Sequence, residues 1–258
     1  MVLSLSGVFM SFRFDIVYEY SGMFLQAAKL TLGITAVSVF IGTILGLFAA
    51  LARIIRVEKG GRIVRAFAWL LRQMSLLYVT LFRGTPLFVQ IFIWYFVWFP
   101  ALIHQDGGLL ISGDAATELR RNYGALITGI LALSTNAGAY ITEIFRAGIQ
   151  SIDRGQIEAA RSLGLTYLQA MRYVILPQAI RRMLPPFGNE FITLLKDSSL
   201  LSAIAVAELA FVARTAAGRY SVYEEPYYTI ALIYLVMTIG LSWLFSWLEK
   251  RYKVSHHL

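Results

Sequence analysis

Residues 30–52 read LTLGITAVSVFIGTILGLFAALA, twenty-three positions without a single Asp, Glu, Lys or Arg. At 1.5 Å per residue a helix of that length reaches about 34 Å, enough to cross a hydrocarbon core of about 30 Å with modest tilt. Three further uncharged runs have spanning length: Gly84 to Gln105, Asn122 to Thr142 and Pro226 to Leu248. A fifth, Met183 to Ala207, is as long and mostly apolar but carries Glu190, Lys196 and Asp197. Facing lipid, each charge would cost about 2.5–3.5 kcal/mol, so the three are expected to face protein or a watery path. With 58% hydrophobic residues and a mean hydropathy of +0.65, the 258-residue chain is too apolar for an ordinary soluble domain and far too apolar for disorder. The fold class that follows is an all-α integral membrane protein with five transmembrane helices.

The charge follows the spans. Arg53, Arg56, Lys59, Arg62, Arg65, Arg72 and Arg83 follow the first; Arg146, Arg154, Arg161, Arg172, Arg181 and Arg182 follow the third; Lys250, Arg251 and Lys253 follow the fifth. The opposite segments hold only Arg13, Lys29, Arg120, Arg121, Arg214 and Arg219, mixed with Asp106, Asp114, Glu118, Glu208, Glu224 and Glu225. The positive-inside rule then puts the N-terminus outside and the C-terminus in the cytoplasm, as an odd number of spans requires. It also accounts for the net charge of +8 without nucleic acid, because the basic residues flank apolar runs rather than covering a polar domain. With no cysteine, disulfides, thiolate metal sites and Cys nucleophiles are excluded, and His104, His256 and His257 stand in no metal-ligand spacing. The apolar run Val2 to Phe12 has neither preceding basic residues nor a clean cleavage site and does not read as a removable signal peptide.

Between the spans, Gly61 to Phe82 has a helical pattern with Arg62, Arg65 and Arg72 recurring among apolar residues, suiting either an interfacial helix or the lower part of a tilted second span. Arg83-Gly84-Thr85-Pro86 interrupts or bends it. Leu209 to Ala217 is helix-like on the outer side, and Pro185, Pro186 and Gly188 predict a bent start to the fourth span, as a hinge or as a packing kink. The aromatic cluster from Phe92 to Phe99 reads as an outer interface belt.

The long inner loop from Ser151 to Pro177 reads as two helices. Asp153 with Gln156, and Thr166 with Gln169, are spaced as capping boxes, and Gly164 is a natural left-handed stop. The first helix, near Arg154 to Leu163, offers Ile157, Ala160 and Arg161 with Glu158 and Gln156 beside them: an apolar centre with a polar rim, fit for another protein's groove or for rest on the membrane.

Glu158-Ala159-Ala160, Gly164 four residues later and Val174-Ile175-Leu176-Pro177 resemble the EAA loop of bacterial ABC-importer permeases, with Val174 where the pattern has Ile. Arg83-Gly84-Thr85-Pro86-Leu87 with Gln90, the run Gly138 to Arg146, and Lys196-Asp197-Ser198-Ser199-Leu200 are similar to the polar-amino-acid (histidine/glutamine/glutamate) branch. The resemblance implies an extracytoplasmic segment 1–23, a type-1 permease domain 24–248 and a basic tail 249–258. It implies a permease of the bacterial inner membrane, taking a polar amino acid from a periplasmic binding protein, pairing with a second copy or a paralogue. ATP and Mg would sit on a separate ATP-binding cassette ATPase, in keeping with the lack of a G-x-x-x-x-G-K-[ST] loop here. The same resemblance assigns coupling to that ATPase to Glu158, Ala159, Ala160 and Gly164. No catalytic residue, bound cofactor or metal is expected on the chain itself.

A zwitterionic substrate needs polar groups on a shared cavity, and Thr85, Ser134, Asn136, Glu190, Lys196 and Asp197 are the candidates. Glu143 is expected to pair with Arg146 at i+3, and Glu190, Lys196 and Asp197 to form a buried inter-helix ion network. The rival reading is an ion-coupled carrier or channel in which those three relay protons or ions.

Overall fold

The computed structural model describes residues 12–54 and 61–252. The run Val2 to Ser11, Arg56, Lys59, Lys253 and the two terminal histidines lie outside them. Among the described residues the regular structure is helical, apart from one isolated bridge, Ile103 to Ile111. A short helix α1 (Phe14–Glu19) leads into α2 (Ser21–Ile54), which contains the first uncharged run and begins well before it. Next come α3 (Arg62–Gly84), α4 (Leu87–Ile93), a π-helical stretch Trp94–Trp98 and α5 (Phe99–Leu102). The 38-residue α6 (Gly113–Gln150) is followed by α7 (Arg154–Ser162) and α8 (Tyr167–Ala170). A second π-helical stretch, Met171–Ile175, joins α8 to α9 (Leu176–Asp197), which tightens into a 3-10 helix at Ser198–Ile204. The chain ends with α10 (Leu209–Tyr220) and α11 (Glu224–Tyr252).

Three helices, α2, α6 and α11, are long and apolar enough to span alone. The other two expected spans each form one arm of a bent pair: α3 and the α4–α5 arm meet at 111°, and the segment Tyr167–Ile204 meets α10 at 48°. α3 therefore does not run straight on into the second span. It leaves Ile63, Phe67, Trp69 and Leu70 exposed, yet Ser75 and Val79 near its other end are buried in the bundle.

The tightest seam lies between α2 and α6. A Cβ on Gly42 would come within 3.0 Å of the Ser134 carbonyl oxygen, and one on Gly46 within 2.9 Å of the Gly138 carbonyl oxygen. Lipid tails are as apolar as leucine, so helices in a bilayer associate by close packing of small residues, and Gly42-x-x-x-Gly46 supplies that surface. Around the seam, Ile34, Val39, Ile91, Leu133, Ile141 and Leu194 form the central apolar cluster. α11 turns Leu232, Val236, Trp243 and Leu244 outward, the expected behaviour of a peripheral helix in lipid.

Two local expectations can be placed on the structure. Pro185 and Pro186 lie inside α9, which stays helical through both. The carbonyls deprived of partners by the two prolines belong to Arg181 and Arg182, both solvent-exposed residues, so the helix continues there. The helix tightens at Ser198 and breaks at Ala205, which has φ of 62°. The stretch from Leu209 is helical as expected and packs into the bundle: Leu209, Val212, Ala213 and Ala216 are buried with Tyr20 and Phe24 of α1–α2 and Ile230 of α11.

Candidate functional site

The break between α3 and α4 is held by a polar knot. Pro86 has no N–H, so it cannot serve the carbonyl of Phe82 four residues back. The Gln90 side-chain amide donates to that oxygen at 2.8 Å and to the Thr85 carbonyl at 3.0 Å. Asn136 of α6 donates to the Gln90 amide oxygen at 3.0 Å and to Phe82 O at 3.3 Å. The Thr85 hydroxyl donates to Leu81 O at 2.7 Å. Backbone freed at membrane depth must find partners within the protein, and these side chains provide them. Tyr78, donating to Thr135 O at 2.7 Å, and Trp94, donating to the Thr135 hydroxyl at 3.1 Å, pin both arms to α6.

Beside the break opens a cavity of about 510 Å³, with Arg83, Tyr140, Glu143, Arg182, Asn189 and Glu190 on its walls. The Arg83 guanidinium stands 5.1 Å from the centre of the Tyr140 ring. Arg83 and Glu190 form no ion pair among the described residues, so the cavity presents a basic and an acidic side chain, each open to a ligand. Glu143 is instead fully committed: Arg53 of α2 donates to one carboxylate oxygen, and Arg146 reaches the other from Nε at 2.9 Å and Nη2 at 2.6 Å. The expected pair with Arg146 is present, and the second partner ties α2 to α6.

The inner helix α7 is built from its two ends. The Asp153 carboxylate accepts from Gly155 N at 2.6 Å. At the other end Gly164 takes φ of 86°, with Gly164 N donating to Arg161 O at 2.9 Å and Leu165 N to Ala160 O at 3.2 Å, a Schellman closure. The Thr166–Gln169 capping box then starts α8. The face differs from the one expected. Ile157 packs on the chain's own cluster of Ile152, Ile175, Ala179 and Met183, and Ala160 is buried. Gln156, Glu158 and Arg161 of that face stay exposed, as do Ala159, Ser162 and Leu163, the last at 84%, and these form the surface left for another molecule. A nine-residue helix cannot stand alone in water, so its apolar stripe is used to fasten it to the bundle.

The family model of the binding-protein-dependent transport system inner membrane component matches residues 42–254. The chain belongs to this family. It is 35% identical over 242 residues to the probable glutamine ABC transporter permease GlnM of Bacillus subtilis (strain 168), spanning 94% of this chain and 99% of that one. To the glutamine transport system permease GlnP of Escherichia coli (strain K12) it is 34% identical over 246 residues, covering 95% and 100%. Among solved structures, a chain in the crystal structure of an amino acid ABC transporter with histidines superposes with a TM-score of 0.72 at 36% identity, covering 97% of this chain and 100% of that chain. The permease is thus a multi-pass transport subunit of the inner membrane, of the amino-acid ABC type.

The six expected path residues are dispersed in the permease. Only Glu190 lines the cavity. Thr85 and Asn136 belong to the knot, while Ser134 is fully buried and donates to Ile130 O at 2.6 Å within α6. Lys196 and Asp197 lie at the end of α9, away from the cavity wall. The expected inter-helix ion network is not formed: among the described residues no salt bridge reaches Glu190, Lys196 or Asp197, because the helices packed against α9 bring no opposite charge within 4 Å. Sequence reasoning passed over Arg83 and Tyr140 as a stacked pair, Arg53 as partner of Glu143, and the Gly42–Gly46 seam. It also passed over Glu208, which is fully buried and accepts from Ala210 N, Phe211 N and the Tyr234 hydroxyl at 2.9–3.0 Å. The glycine spacing was open to reading, since G-x-x-x-G in an apolar run marks a helix contact. The two arginine contacts depend on helices remote in sequence, and Glu208 caps its own helix but owes its third partner, Tyr234, to α11.

Proposed function

We propose that the permease carries a polar amino acid, delivered by a periplasmic binding protein, into the cytoplasm by alternating access driven by a separate ATPase that holds ATP and Mg. The observation that carries this reading is α7: a small exposed patch, Glu158 and Ala159, fixed by a glycine closure at Gly164 and by half-buried Ile157 and buried Ala160 to the helices that wall the cavity. A push on that patch is transmitted by packed side chains to α9, which lines the cavity with Asn189 and Glu190. Glu158, Ala159, Ala160 and Gly164 are the coupling residues in this reading, and Glu158 meets a basic group on the ATPase. The cavity's free basic and acidic side chains, Arg83 and Glu190, suit the carboxylate and ammonium of an amino acid. Relatives named for glutamine support a polar substrate. Of the other expected path residues, Thr85 and Asn136 support the path by fixing the helix break beside it, while Ser134, Lys196 and Asp197 stand away from this cavity; the path closes only when a second permease copy or paralogue covers the open side. The N-terminal segment 1–23 lies outside and the tail 249–258 in the cytoplasm.

The test is uptake of radiolabelled amino acids into vesicles holding the permease with its ATPase and binding protein, with internal ATP and an uncoupler varied independently. ATP-dependent, uncoupler-resistant uptake is expected, and Gly164→Asp abolishes it at unchanged expression. Uptake that needs no ATP and vanishes with the uncoupler would replace this reading by an ion-coupled carrier.

A further inference from the structure

At the other end of the bundle a second cavity, of about 480 Å³, lies between the α4–α5 arm and α6, walled by Tyr95, Phe96, Phe99, His104, Arg120 and Arg121. Both arginines are exposed, and among the described residues neither makes an ion pair or a side-chain hydrogen bond. Asp106 is turned to His104, at 3.9 Å, and Asp114 and Glu118, earlier on α6, come within ion-pair distance of neither arginine. Two adjacent guanidiniums left without an ion pair call for an anion. Their depth narrows the choice. They immediately precede the uncharged run that starts at Asn122, which sets them at the boundary between water and hydrocarbon.

The surroundings are apolar and exposed. Phe96 is 64% and Val97 57% exposed on the arm that forms one wall. Next to it the turn from His104 to Gly113 holds Leu109 and Leu110 out at 80% and 73% exposure. That turn is tightly tied: Leu110 N donates to Leu102 O at 2.8 Å, Gly113 N to Gln105 O at 3.0 Å, and a Cβ on Gly108 would stand 2.3 Å from Ile111 O. A water-soluble partner would leave most of these side chains wet, whereas an amphiphile covers them with its tails and brings its anion to the arginines.

We infer that Arg120 and Arg121, with the aromatic wall of Tyr95, Phe96 and Phe99, form a site for the phosphate headgroup of an anionic phospholipid. The orientation proposed above makes this the outer leaflet; the chemistry of the site does not depend on it. The experiment is native mass spectrometry of the assembled importer released from vesicles of phosphatidylcholine alone or mixed with phosphatidylglycerol. The wild type retains phosphatidylglycerol in preference to phosphatidylcholine, and Arg120→Gln/Arg121→Gln lowers that retention by about thirtyfold, the effect of two arginines at a membrane surface. Both side chains are exposed, so the double variant keeps its thermal midpoint, and Arg120→Lys/Arg121→Lys recovers part of the retention. Equal retention of the two lipids by the wild type overturns the inference. Displacement of the lipid by millimolar inorganic phosphate would mark a site for soluble anions instead. Unchanged lipid retention with weakened stimulation by the binding protein would make the surface a protein dock.

Discussion

Replacing Gly46 by Ala adds one methyl group where the seam between α2 and α6 has no room for it. The new Cβ would stand 2.9 Å from the Gly138 carbonyl oxygen and 2.9 Å from Ile141 Cγ2. The first of these is backbone, which cannot rotate away, so relief comes only from parting the two helices by roughly half an ångström, a gap that forfeits about a quarter to a half of each dispersion well along the seam. Overpacking of this kind costs about 1–3 kcal/mol. Gly33 on the same helix is the internal standard, because a Cβ there meets nothing within 4 Å. Ala in place of Gly favours a helix by about 1 kcal/mol at either position, so that benefit cancels between the two variants. Thermal unfolding of both in one detergent reads the difference. Gly46→Ala is expected below Gly33→Ala by roughly 2–12 °C, taking about 2–4 °C per kcal/mol for a chain of this size. Equal midpoints would show that the seam is not where the two helices are held, and would remove the account of the fold given above.

Three further perturbations follow from contacts between distant segments. Glu143→Gln replaces a carboxylate bound by Arg53 and Arg146, and is expected to lower stability by about 1.5–3 kcal/mol, with a double-mutant cycle against Arg53→Met showing coupling of similar size. Gln90→Leu takes the side-chain donor from the Thr85 carbonyl and leaves the Phe82 carbonyl with Asn136 alone; a loss of about 1–3 kcal/mol is expected, and Asn136→Leu in that background costs about 1 kcal/mol more by stripping Phe82 of its last side-chain donor. Glu208→Ala removes the N-cap of α10 and orphans the Tyr234 hydroxyl, for a loss of roughly 2–4 kcal/mol, while Tyr234→Phe in that background restores part of it.

The local half of the structure was legible in advance. The αL closure at Gly164 and the Thr166–Gln169 box lie within a few residues of each other, so their chemistry does not depend on the rest of the chain. The spans were legible as lengths, and the pair Glu143–Arg146 as neighbours at i+3. What failed was facing. Ile157 and Ala160 were expected to meet a partner protein or the membrane surface and instead fasten α7 to its own bundle, because an apolar stripe does not say which apolar surface it will find. Glu190, Lys196 and Asp197 were expected to be mutually satisfied by neighbouring helices, and no counter-charge is there.

The sequence by itself determined that this chain is an all-α membrane protein of a permease family, because uninterrupted apolar length, charge bias between spans and short motifs are properties of neighbours along the chain. Only the tertiary structure decided how the helices meet: Gly42 and Gly46 against α6, Gln90 and Asn136 closing the carbonyl that Pro86 cannot serve, Arg53 beside Glu143, and Arg83 sharing a cavity with Glu190. In lipid every face of a span is apolar, so hydropathy marks a helix without marking its inward side. That side is chosen by which small residues let two backbones approach and by which polar side chains find freed backbone groups, and both partners must be in place before either choice exists.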